Sequence, residues 1–544
     1  MRGPLSLTLC VALSALACSE PAEEPIHPQV EPERIAVHVD RLRTFEAADA
    51  GSDNLHGARP GGTGESDAVA YLISAFGDLG LAVEQQSVPL ARITPTPGEV
   101  RVTGEDIDLE LEPGIDHFIW TRRHETQSVA EGELLFVGYG ISAPGLQWDD
   151  YEGVDARGRI VVMLSGDPRS GQRHVLGALG QYYYGGRTYK FEEAARRGAA
   201  GALVIDLDES RSVAWQRAAQ DPPAVLGAGD GHEPTAYPAV EGWLLASTAR
   251  RLFDQALAPP EAPDDTDAGP LLAPAASYTL GASSTPTGFD DLLRLAGESN
   301  FRAVPIPLRV RLKVDSQFED ITSTNVIATL AGTHEEPSYV LVSSQWNDLP
   351  AGGPTGAQLT DADPGHHPPG VGVMLETARA LVAEPQPHRS IVFVVVTALP
   401  EGLIGLSHFL HNPSIAHTPS FAIEHIDAAV HMAEFNAHAG ESGVVFIGPS
   451  HGILKDLVRQ EAAKQFRGTS ADTDTERLFF YGPTESHFTE LTIPSLFVAS
   501  RSVDESLAAS DPGQDADFTT AALDTRMLFH VVLRAANAQY WPVR

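Results

Sequence analysis

One short stretch has the spacing of a catalytic nucleophile. Gly448-Pro449-Ser450-His451-Gly452 fits G-x-S-x-G and falls between a strand-like run, Val444–Ile447, and a helix-like one, Ile453–Lys464. A serine on a sharp strand-to-helix turn can attack a carbonyl if an acid and a histidine follow it in the chain. His487 does follow. Pro449 is unusual before such a turn, so an ordinary loop is the preferred reading and a serine hydrolase through Ser450 a remote alternative. Gly61-Gly62-Thr63-Gly64 could cradle phosphate ahead of a helix. No clear strand precedes it and the lysine of a phosphate-binding loop is missing, so it reads as a helix start. Both cysteines, Cys10 and Cys18, lie in the first 18 residues, which leaves the remainder without a disulfide or a cysteine metal ligand.

Such residues need a frame to hold them. The 544 residues are enough for two or three domains. A hydrophobic content of 42% with 20% charged residues is ordinary for a soluble globular protein. The net charge of −36 repels nucleic acid and anionic lipid surfaces, so neither is an expected partner, and it reads as a solvated acidic surface. Arg2 and the apolar run Leu5–Leu16, too short to span a membrane, precede Ala15-Leu16-Ala17-Cys18. This resembles a bacterial lipoprotein signal over residues 1–18, with Cys18 lipidated and the protein exported to the cell envelope. Ala15 stands where leucine is usual, and cleavage without a lipid, giving a periplasmic or secreted protein, is the alternative. Residues 19–33, rich in Pro and Glu, read as a flexible tether.

From Arg34 to about Leu90 the pattern is helical, with Glu65–Leu81 the clearest segment. Residues 95–300 hold short strands (Glu133–Val137, Arg159–Leu164, Ala202–Ile205) and many glycines and prolines. From 301 onward, strands (Tyr339–Trp346, Ile391–Ala398, Ala428–Met432, Val444–Ile447, Ser495–Ala499) alternate with helices such as Val371–Ala383 and Ile453–Lys464. That alternation predicts an α/β domain with a mixed, mainly parallel sheet flanked by helices.

Five stretches stand out together: His56–Glu65, Phe136–Ile141 with Asp149-Asp150-Tyr151, Gly158–Val162, Tyr189–Gly201 and Thr324–Ala328 with Leu330 and Gly332. In their order and spacing they resemble bacterial M28 zinc aminopeptidases carrying an inserted, β-rich protease-associated domain. The resemblance implies a peptidase-like domain built from residues 34–94 and 301–544, with the insert and its flanks at 95–300.

It also implies where a two-zinc site would lie. Such a site needs histidine nitrogens, a bridging carboxylate and a glutamate base for the bridging water. The positions for a ligand and its orienting acid are Gln345 and Asn347 here. The bridging carboxylate position, 21 residues beyond Gln345, is His366, beside His367. The base and its neighbouring ligand read Leu399 and Pro400. The next strand ends in Ala433, beside Glu434, and the last ligand is retained as His487. Leu399 accepts no proton and Pro400 has no coordinating side chain. The resemblance therefore leads to an expectation of a non-catalytic homologue, needing no cofactor, that binds peptides or protein N-termini or acts as a surface scaffold. The competing class is a metal-dependent exopeptidase or amidase with zinc on relocated ligands, His366, His487 and one acid from Asp348, Glu401 or Glu434.

Overall fold

In the computed structural model, the described residues are 28–49, 60, 62–170, 173–176, 184–207, 225–229, 237–259, 286–334, 336–346, 370–398, 404–413, 421–432, 444–447, 452–470, 492–499 and 518–538. The first element, α1 (Pro32–Asp49), opens on a proline, whose missing N–H has no partner to lose at that position. It starts inside the stretch read as a tether, which therefore ends before Pro32. α2 (Thr63–Asp78) follows, and Gly80, at φ 78°, turns the chain away. The helical pattern expected to reach Leu90 is corrected here, because β1 (Ala82–Pro95) is a strand paired along its full length. Only its second half, with Val88, Leu90 and Ile93 buried, carries an apolar pattern strong enough to declare itself.

Next come β2 (Glu99–Thr103), β3 (Asp108–Leu111), β4 (His117–Trp120), β5 (Gln127–Phe136), β6 (Ile160–Leu164), α3 (Arg187–Arg196), β7 (Gly201–Asp206), β8 (Val225–Ala228), β9 (Val240–Leu245), α4 (Ala246–Leu257) and α5 (Phe289–Ala296). The chain continues with β10 (Val304–Leu330), β11 (Tyr339–Gln345), α6 (Gly370–Val382), β12 (Ser390–Val396), α7 (Ile404–His411), β13 (Ile426–Met432), β14 (Val444–Ile447), α8 (Ile453–Lys464), β15 (Thr469–Ser470), β16 (Ser495–Ala499) and α9 (Thr519–Asn537).

Two parallel cores are joined through one long strand. In the first, β5, β6, β7 and β9 run parallel, with β4 antiparallel on the outer side. In the second, β12, β11, β13 and β16 run parallel, and β14 returns antiparallel beside β16. The 27-residue β10 pairs with β5 through its first half and with β1 and β12 through its second, so among the described residues these sixteen strands form one mixed sheet, with two separate short hairpin pairs at 142–149 and 169–174. The boundary expected at 300 thus falls just before a strand that serves both halves. The architecture is α/β, a sheet with parallel centres flanked by helices, as the alternation of elements indicates.

Each half buries both faces of its sheet. In the second half, Val340, Val342 and Trp346 face α1, α2, α6 and α9, while Leu341 and Val394 face Phe409 of α7 and Phe421. In the first, the stretches that carry the family resemblance prove to be packing devices. Asp150 accepts from the backbone N–H of Tyr139 (3.1 Å) and Ile141 (2.9 Å) and from the Trp148 indole (2.8 Å), and burial pushes its carboxyl up to about 7. Lys190 of α3, pushed down to about 7 by burial, donates to the Tyr139 carbonyl. Together they fix the loop after β5 beneath α3.

Candidate functional site

Parallel strands bring their C-terminal ends to one sheet edge, where loops and side chains can meet a ligand. Here that edge is formed by Gln345 of β11, Val396 of β12, Met432 of β13 and Ala499 of β16. Gln345 lies opposite Val396, Ser343 lies opposite both Val394 and His431, and Met432 lies opposite Val498. Gln345 is half-buried at the strand end. Its neighbour Trp346 is buried and donates its indole N–H to the Thr324 carbonyl (3.1 Å), which pins the end of β11 over β10.

The end of β12 is held more tightly still. Thr397 donates its backbone N–H to the Asn325 side-chain oxygen (3.0 Å), and the Asn325 amide donates to the Gly405 carbonyl (2.8 Å) and to Gln86 (3.0 Å). The hydroxyls of Thr397 and Ser323 are 2.5 Å apart, and Ser323 donates to Glu65 in the first turn of α2 (2.6 Å). Ala398, fully buried, adopts a left-handed φ of 48°, and its carbonyl accepts from the Ile404 N–H (3.1 Å). A non-glycine residue in that region costs on the order of 1 kcal/mol. The surrounding hydrogen bonds hold it there, directly before Leu399-Pro400.

Glu65, Ser323, Thr397 and Asn325 were not legible as one group. They come from α2, β10 and the residue just after β12, and only Asn325 and Glu65 fall in stretches that resemble the family. A cavity of about 350 Å³ lies beside them, lined by Gly62, Glu65, Ser66, Gln85, Thr322 and Thr324. A further pair, Ser343 and His431, sits one step deeper in the sheet. The hydroxyl is 2.9 Å from Nδ1, both residues are buried, and burial pushes the imidazole down to about 3. Burial thus favours the neutral ring, which suits a packing role.

Of the positions read from the sequence, the structure places Gln345 at the expected edge. Asn347, Asp348, His366, His367, Leu399, Pro400, Glu401, Ala433, Glu434, His487 and Cys18 lie outside the described residues, as do Ser450 and Pro449 of the G-x-S-x-G stretch. The strand and helix flanking Ser450 are present as expected, at Val444–Ile447 and Ile453–Lys464. Among the described residues, no three His, Cys, Asp or Glu side chains gather to hold a metal ion. The donor chemistry of the positions read as the zinc site does not fit a dinuclear centre. Gln345 offers a neutral amide, and Leu399, Pro400 and Ala433 offer no side-chain donor.

The architecture places the chain among α/β proteins whose ligand edge is the C-terminal side of a parallel sheet. Residues 325–521 match the family model described as Peptidase family M28, which bears out the resemblance over that segment. Solved structures similar to this chain include the aminopeptidase from Aneurinibacillus sp. strain AM-1, at 15% identity over 94% of this chain and 98% of that one, with a TM-score of 0.47. A zinc aminopeptidase from Bacillus subtilis is similar at 14% identity over 95% and 98%, with a TM-score of 0.44. The peptidase M28 precursor from Shewanella amazonensis SB2B is similar at 14% identity over 94% and 98%, also at 0.44. No curated protein matches the chain.

Proposed function

We propose that this chain is a non-catalytic M28 relative that uses the strand-end cleft to bind peptide termini, exported and anchored to the bacterial cell envelope through Cys18. The observation that carries the reading is the end of β12. A buried polar frame from Glu65 to Asn325 holds that strand end, and the residues it leads into are Leu399 and Pro400. A hydrolase of the M28 type needs a carboxylate base there to take a proton from its nucleophilic water. An ordered strand end that leads into residues unable to take a proton supports binding without turnover.

Metal content tests this directly. The purified protein, dialysed against buffer holding micromolar zinc, should retain well under one equivalent by elemental analysis. Two tightly held equivalents would overturn the reading. One equivalent accompanied by cleavage of an N-terminal residue from peptides would overturn it in favour of relocated ligands.

A further inference from the structure

The strands of the second half begin at the sheet edge opposite the candidate site. Tyr339 of β11 lies opposite Ser390 of β12, and Leu330 of β10 opposite Ile391. The length of β12, roughly 20 Å, separates this edge from the strand-end cleft. Two turns meet here. Thr333 and His334 donate their backbone N–H groups to the carbonyls of Pro387 (2.9 Å) and His388 (2.8 Å), and the Gln386 amide donates to the carbonyls of Ala331 (3.1 Å) and Gly332 (3.2 Å). Gly332 allows the contact, since a Cβ there would run into the backbone of Arg389 and Ser390. The second turn is also moored to the end of α9. The His388 N–H donates to the Asn537 side-chain oxygen (2.9 Å), and the Arg389 N–H to the Ala536 carbonyl (2.9 Å).

This frame holds two exposed imidazoles side by side. The ring centroids of His334 and His388 are 4.5 Å apart, with the planes at 66°. His334 Nδ1 is 2.9 Å from the Glu336 carbonyl oxygen and 3.2 Å from the Glu336 nitrogen. The shorter contact needs a proton on Nδ1, which leaves the lone pair on Nε2, the arrangement in which a histidine binds a metal. The His388 ring makes no hydrogen bond among the described residues.

A metal ion about 2.0–2.1 Å from a ring nitrogen lies about 3.2 Å from the ring centroid. Two such ligands at about 90–109° around one ion place their centroids about 4.5–5.2 Å apart. The observed spacing falls at the lower end of that range, and exposed rings can turn onto a shared ion without moving the backbone. The charge around them suits a cation. Arg389, between the two turns, is buried and neutralised by Asp427 at 2.7 Å, while Glu336 and Glu384 add negative charge.

We infer that His334 and His388 form a bidentate surface site for a divalent transition metal, copper(II) above all, with water in the remaining positions. Imidazole nitrogen suits copper, nickel and zinc, and of these copper binds most tightly to a given set of donors. Calcium and magnesium need oxygen donors that the pair does not offer. A bound ion would clip the 331–334 turn to the 386–390 turn and stabilise the folded chain. This edge shares no residue with the strand-end cleft.

The test is calorimetric titration of the purified protein with copper(II), in citrate buffer to suppress weaker sites, on the parent, His334→Asn, His388→Asn and the double variant. The parent should bind one equivalent at least about ten-fold more tightly than either single variant, because the second imidazole binds within the same molecule. Electron paramagnetic resonance of the copper-loaded proteins should show two nitrogen ligands in the parent and one fewer in each single variant. Copper should also raise the melting temperature of the parent more than that of the variants. A single variant that binds copper as tightly as the parent, or keeps its nitrogen count, would overturn the site. Zinc content measured on the double variant reads the strand-end cleft alone, so the two proposals fail separately.

Discussion

The strongest residue-level commitments lie away from the candidate site. Arg122 and Glu241 are an ion pair buried in the first half of the fold, Nε to Oε2 at 3.1 Å, with side chains 3% and 0% exposed. The Trp120 indole donates to the same oxygen at 3.0 Å, and the Arg122 guanidinium lies 4.4 Å from the centre of the Tyr237 ring. Burial raises the Glu241 carboxyl and Arg122 opposes that rise. Removing one partner strands the other charge in a dry interior, whereas removing both can be nearly neutral. Arg122→Met should therefore cost about 3–5 kcal/mol, and adding Glu241→Leu should restore most of it. Urea denaturation of the two variants decides the matter; a double variant weaker than the single one would show that the pair is not the unit that matters. At this scale the sequence was partly readable. The residue types at the positions read as a zinc site, Gln345, Leu399, Pro400 and Ala433, stand in the sequence itself. A buried pair 119 positions apart does not, because nothing local marks Arg122 and Glu241 as partners.

Elements were the most legible scale, and the exceptions have physical causes. Short apolar runs bounded by polar turns, such as β6, β11, β12 and β16, stand where their hydrophobicity puts them, because a strand buried on both faces has no other stable place. β1 was hidden because its first half alternates only weakly and stands at the sheet's flank. β10 was not read as a strand, since its 27 residues serve two cores and no single apolar run along it stands out. Contacts between elements also decide how two glycines behave. Gly405 starts α7 against the end of β12, and a Cβ there would sit 2.2 Å from the Thr397 carbonyl and 2.8 Å from the Asn325 side chain. Gly77 lies in the last turn of α2, and a methyl added there would have nothing within 4 Å, so alanine meets no obstacle. Gly405→Ala should thus destabilise by about 1–3 kcal/mol or more, while Gly77→Ala should stabilise by about 0.5–1 kcal/mol. Thermal denaturation of the two proteins should shift in opposite directions, and a fall in both would mean that α2 tolerates less than its open surroundings imply.

For the molecule as a whole, the proposal of a non-catalytic M28 relative raises the question whether the peptidase-like frame can be refitted. The frame is present in the described residues: β11, β12, β13 and β16 are parallel and in register, and the Glu65–Ser323–Thr397–Asn325 chain ties α2 and β10 to the end of β12. On the proposed placement, the site lacks donors. Gln345→His, Asn347→Asp, His366→Asp, Leu399→Glu, Pro400→Glu and Ala433→Asp would supply them beside His487. Single changes should do little, since a base without a metal-bound water has nothing to activate, and one carboxylate cannot compensate two dications. Ala398, with its left-handed backbone, is the last described residue before Leu399 and Pro400. The combined variant should therefore gain zinc before it gains any activity, and supporting groups lost around the ligands would keep turnover slow even then. Isothermal titration with zinc on the folded six-fold variant and on the parent gives the answer. Binding of one to two equivalents by the variant alone would confirm the residue placements, and equal binding by both would show that the site was drawn on the wrong positions.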